Sequence, residues 1–110
     1  MKDDAHDLSE KRIKQELDAH VDYARFKEWK AKYPYVIQQF REHSLELMQK
    51  RRHFGMWLVA NVVRWNYFFD YDEELKISNN FVALITRELM LEIPELKKFC
   101  RIKKMNVAPD

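Results

Sequence analysis

An all-α fold is what this chain predicts, and three observations predict it. It has one glycine and three prolines in 110 residues. Its apolar residues recur every three or four positions, and Ser, Asn or Pro stands where those patterns begin. So few turn formers argue against a loop-rich or all-β design. With 46% apolar residues the chain can bury one compact core, and its length suits one domain. The expected architecture is a four-helix compact domain with a helix-turn-helix-like pair. Residues 9–104 form that domain, residues 1–8 a disordered start and residues 105–110 a flexible tail.

The first helix is expected over residues 10–32, with Ser9 as N-cap and a stripe of Ile13, Leu17, Val21, Phe26 and Trp29. Tyr33-Pro34 breaks it, because the residue before proline avoids the α region while proline suits a first helical turn. A second helix runs over residues 34–52 on Val36, Ile37, Phe40, Leu45, Leu47 and Met48. Gly55 is placed to supply the following turn.

A third helix, residues 56–69, is the most apolar and is expected to be the central core element. Its stripe is Phe54, Leu58, Val62, Trp65 and Phe69, widened by Val59 and Val63. Residues 71–75 are loop. Ser78, Asn79 or Asn80 caps a fourth helix that ends near Glu92 before Pro94, with Phe81, Leu84, Ile85 and Leu89 facing inward. The composition of residues 75–77 and 99–102 allows a very short two-stranded ribbon between them.

The net charge of +2 is unevenly spread: residues 27–64 carry eight positive and three negative side chains. Lys50-Arg51-Arg52 and the tail of Lys97, Lys98, Arg101, Lys103 and Lys104 flank the third and fourth helices. Asp70, Asp72, Glu73 and Glu74 make an acidic island between them. Cations on both sides of a helix pair are how many helix-turn-helix proteins grip phosphates. Asn80, Thr86 and Arg87 lie off the apolar stripe of the fourth helix, and such residues on an exposed helix reach base edges. Two features count against this reading. The connection of about nine residues exceeds the usual three- or four-residue turn, and its acidity repels DNA.

Catalytic signals are poor. His6, His20, His43 and His53 are scattered, one glycine cannot build a phosphate loop, and the acidic island lacks calcium-loop spacing. Cys100 is the only cysteine, so neither an internal disulfide nor a Cys-based metal site is open to one chain. No enzyme activity, cofactor or metal is therefore expected. The acidic, polar N-terminus is unlike a secretory signal, and no apolar run approaches the roughly 20 residues of a membrane span, so a cytoplasmic location away from membranes is expected. Aromatic residues exceed the needs of one small core. Trp57, Tyr67 and Phe68 fall off the main stripe and suggest a protein interface, a homodimer among the options, or a stacking surface for single strands.

Phe26 and Trp29, Pro34, Arg64-Trp65, Lys76, Asn79-Asn80, Arg87, Pro94-Glu95-Leu96, Phe99 and Arg101 form a string over residues 26–102. This string resembles an uncharacterised family of small phage- and prophage-encoded proteins. Cys100 stands where that pattern has a second closing aromatic. The resemblance brings no catalytic residue. It implies a mobile-element origin, and small proteins of that origin tend to bind nucleic acid or block a host protein.

The leading expectation is thus a non-enzymatic, phage-type protein that binds nucleic acid. Asn80, Thr86 and Arg87 would contact it on the fourth helix, with Lys50, Arg51, Arg52, Lys97, Lys98 and Arg101 on phosphates. The alternative is a protein-binding inhibitor of a host factor such as a defence nuclease, working through Trp57, Tyr67 and Phe68.

Overall fold

A computed structural model describes residues 9–102 as five α-helices and a closing 3-10 turn. The helices are α1 Glu10–Ala19, α2 Tyr23–Lys32, α3 Pro34–Gln49, α4 Met56–Tyr71 and α5 Asn79–Glu92, and the 3-10 segment is Pro94–Lys98. The all-α class is as expected, with five helices in place of four. The expected disordered start, flexible tail, Lys103 and Lys104 lie outside the described residues.

Local chemistry sets most helix starts. The Ser9 hydroxyl accepts from the Arg12 amide at 3.2 Å, and the Ser78 hydroxyl from the Phe81 amide at 3.1 Å. Each satisfies an orphan N–H of a first turn. Pro34 opens α3 at a position where its missing N–H costs nothing.

The extra helix comes from a break at residues 20–22. His20 takes an extended backbone conformation, and its ring accepts from the Asp22 amide at 3.0 Å. Val21, expected in the buried stripe, is 88% exposed. On either side of the break, α1 and α2 each pack against α5.

Two further expectations are corrected. The central helix is α5, which touches α1, α2, α4 and the 3-10 turn. Val82, Leu84, Ile85, Thr86, Arg87, Leu89 and Met90 are all buried along it. The helix α4 buries the face formed by Met56, Val59, Ala60 and Val63. That face packs against α3 and α5, and Leu58, Val62, Trp65 and Phe69 point the other way.

The expected ribbon is also absent among the described residues. Leu75 and Ile77 are buried anchors of an extended connection. The stretch after the 3-10 turn pairs instead with the segment before α4, through a single parallel bridge between Phe54 and Cys100.

The turn after α3 does not use glycine. Arg51 adopts φ 55°, its amide donates to the Met48 carbonyl at 2.9 Å, and the Arg52 amide donates to Leu47 at 3.0 Å. This is a Schellman closure with an arginine in the left-handed position that glycine usually fills. Gly55 has φ −96° and merely precedes α4.

Much of the aromatic surplus forms an internal ladder. The ring of Phe81 lies 5.4 Å from Phe26 and 5.3 Å from Trp29. Tyr33 reaches Tyr67 at 6.3 Å, and Tyr67 reaches Tyr71 at 4.6 Å. The ladder joins α2, α4 and α5 by ring contacts that add to simple area burial.

Candidate functional site

Three surfaces hold the residues singled out by the sequence. The first is α5, where the expected exposed polar face does not exist. Thr86 is buried, and its hydroxyl donates to the Val82 carbonyl at 2.8 Å. Arg87 is also buried. Its Nε donates to Glu16 Oε1 at 2.7 Å and its Nη1 to the Ala83 carbonyl at 3.0 Å. Glu16 in turn accepts from Arg12 Nε at 2.9 Å. Thr86 and Arg87 therefore spend their polar atoms on the core, where α1 covers the side of α5 that the sequence pattern leaves looking bare. Asn80 is exposed, but its amide donates to Asp22 at 2.9 Å and ties α5 to the start of α2. A groove of about 570 Å³ runs beside these residues, lined by His20, Trp57, Asn80, Thr86, Arg87 and Arg101 among others.

The second surface is basic. The Phe54 amide donates to the Phe99 carbonyl at 2.9 Å, and the His53 and Phe99 rings sit 5.6 Å apart. This stitch brings Lys50, Arg51 and Arg52 to the same end of the fold as Lys97, Lys98 and Arg101. Lys50, Arg51, Arg52, Lys98 and Arg101 are exposed and Lys97 is half-buried. Lys98 shares its charge with Glu95 at 3.1 Å on the open surface, where such a pair holds little energy.

The third surface was read only in part from the sequence, which set Trp57 and Phe68 at an interface but Leu58, Val62, Trp65 and Phe69 in the core. The outer side of α4 carries Leu58, Trp65, Phe68 and Phe69 at 54, 65, 51 and 66% exposure, with Val62 and Trp57 nearly 40% open. Trp65 and Phe69 rings contact at 5.0 Å, which makes a ridge rather than scattered side chains. Beside it runs a recess of about 450 Å³ lined by Asn61, Arg64, Trp65, Phe68, Glu74 and Leu75. Of the three residues expected at an interface, Trp57 and Phe68 border this ridge, whereas Tyr67 is half-buried in the aromatic ladder. A helix apolar all round is normally enclosed on every side. Here only one side is, and that contradiction was the available signal.

The acidic island divides between structure and surface. Asp70 accepts from the Tyr35 hydroxyl at 2.9 Å, and Glu73 accepts from Tyr67 at 3.4 Å. Burial and then the nearby Glu73 charge raise the Tyr67 hydroxyl above its ordinary pKa. Asp72 closes α4 with φ 54°.

Cys100 is buried, which pushes its thiol up to about 11, partly opposed by a hydrogen bond from the Met56 backbone. A thiol held protonated at neutral pH is a weak nucleophile and a weak ligand. Among the described residues, no group of three or more His, Cys, Asp or Glu is arranged to hold a metal ion, and no helix is long and apolar enough to cross a membrane. No family model, curated protein or solved structure matches this chain.

Proposed function

We propose that this protein is a non-enzymatic protein-binding module whose working surface is the outer side of α4. One observation carries the reading: Leu58, Trp65, Phe68 and Phe69 form a contiguous ridge with half or more of each side chain open to water. Contiguous apolar area of this kind is costly to leave hydrated and marks interaction sites. Trp is also the residue most enriched among interface hot spots. The reading that α5 inserts into DNA loses its support, because Thr86 and Arg87 are buried and bond within the protein instead of presenting an exposed polar face.

The test places a photo-crosslinking amino acid at position 65 and, in a control, at exposed position 42. Protein adducts formed from position 65 alone support the reading; equal adducts or none at both positions overturn it.

A second reading keeps nucleic acid as the partner, now through phosphates alone. The stitch from Phe54 to Phe99 and Cys100 favours it by bringing the two basic clusters to one end of the fold. Anisotropy titration with duplex and single-stranded DNA at two salt concentrations tests it. Salt-sensitive binding that Arg51→Ala/Arg52→Ala and Lys97→Ala/Lys98→Ala each weaken supports this reading, since phosphate contacts release counterions. Absence of binding at low salt removes it.

A further inference from the structure

We infer that the occupant of the α4 ridge is a second copy of this chain, packed antiparallel across a twofold axis near the middle of α4. The inference rests on the protein-binding reading above and names its partner.

The spacing of the ridge is the first argument. Leu58, Val62, Trp65 and Phe69 follow one another by four, three and four positions, the interval of a coiled-coil seam. A twofold between residues 63 and 64 bisects both this seam and α4 itself. It sets Leu58 against the partner's Phe69 and Val62 against the partner's Trp65. Each large ring meets a smaller aliphatic side chain, the alternation that lets facing layers interdigitate. The recess between Trp65, Phe68 and Glu74 gives a ring from the other copy room beside the seam. A ridge and a recess on one surface are what an isologous contact requires.

Charge supplies the second argument. Lys50, Arg51 and Arg52 precede α4, while Asp70, Asp72, Glu73 and Glu74 close and follow it, about 24 Å away along a helix of this length. An antiparallel copy brings the basic end of each chain to the acidic end of the other; a parallel copy sets like charges together. The ends of α4 point the same way. Its N-terminus has neither a capping side chain nor an acid in the first turn, and the acids at its C-terminus oppose the negative pole of their own helix. The partner's acids and cations complement both ends.

Area supplies the third. Aromatic side chains bury about 150–250 Å² each. At the exposures of Trp57, Trp65, Phe68 and Phe69 the rings alone offer on the order of 500 Å² per copy. Leu58 and Val62 widen this toward the roughly 800 Å² per partner of a standard interface.

Sedimentation velocity on the full chain from about 1 to 500 μM tests the inference, over concentrations that span the affinities expected of modest interfaces. The expected result is a dimer that Trp65→Ser/Phe69→Ser weakens about thirtyfold or more, the scale of a hot-spot loss, with its circular dichroism retained. Arg51→Glu/Arg52→Glu and Asp72→Lys/Glu74→Lys should each weaken self-association about tenfold or more, as like charges meet. Mixing those two variants should restore a heterodimer near wild-type strength, because both ends are then complementary again. A wild-type chain that stays monomeric throughout overturns the homodimer, while adducts from position 65 to another protein would leave the broader reading standing. A dimer indifferent to Trp65→Ser/Phe69→Ser overturns the α4 interface. Charge variants that weaken association singly but fail to rescue each other overturn the antiparallel arrangement.

Discussion

Arg87 and Glu16 meet at 2.7 Å with both side chains sealed from solvent, across 71 positions of sequence. The pair joins α1 to the central helix inside an otherwise apolar contact. Glu16→Leu withdraws the carboxylate from buried Arg87 and should cost about 3–5 kcal/mol, whereas Arg87→Met leaves Glu16 its bond to Arg12 and should cost less. The double variant should cost less than the two single costs combined, because the contact between Arg87 and Glu16 can be lost only once. Urea unfolding of the four proteins measures this coupling.

Arg51 occupies a backbone conformation that glycine adopts freely. Arg51→Gly should therefore stabilise the folded chain by about 1 kcal/mol, the relief of one left-handed residue. A thermal midpoint that falls would mean that the arginine side chain contributes more than its backbone costs.

Val63 and Trp65 lie two positions apart on opposite sides of α4. Val63→Ala removes buried volume and should destabilise the chain by about 1–3 kcal/mol. Trp65→Ser should change the stability of the monomer by less than about 0.5 kcal/mol, as exposed substitutions do. Denaturation at micromolar concentration compares them, and the reverse order would exchange the two faces of α4.

The raised Cys100 pKa means that the folded protein keeps a proton that the unfolded chain releases above its ordinary value of 9.0. Stability from this group is complete below pH 9 and declines as pH rises toward about 11. The full shift amounts to roughly 2–3 kcal/mol. Comparing wild type with Cys100→Ala between pH 8 and 11 isolates it from other titrating groups, and the wild type should lose more. A thiol reagent at pH 8 should label the native chain only as fast as it opens.

Helix starts were legible because their chemistry is local: Ser9, Pro34 and Ser78 each act on a neighbouring turn. The break at residues 20–22 was not, since Val21 continues a credible apolar interval and only packing against α5 shows that it has nothing to cover. Periodicity also failed on α4. Val59 and Val63 form one apolar side, Leu58, Val62, Trp65 and Phe69 another, and spacing alone cannot say which closes the core. The side that closes the core carries the smaller side chains, Val59, Ala60 and Val63, beside Met56. On α5 the reverse error arose. Thr86 and Arg87 look polar in sequence, yet one satisfies its own backbone and the other a carboxylate 71 positions away. The proximity of the two basic clusters was similarly hidden, because it depends on a contact between distant segments.

The hydrogen bond from Phe54 to Phe99 spans 45 positions of chain. Closing a loop of that length costs roughly 3 kcal/mol in entropy, more than the 0.5–1.5 kcal/mol net of one such bond. The latch therefore depends on the helices between its ends having already assembled. It should form late in folding and open early under stress, with the Phe54 amide exchanging with solvent sooner than those of α5. The basic surface thus belongs to the assembled tertiary structure: separate peptides from either side of the latch would carry the same cations without the arrangement that gathers them.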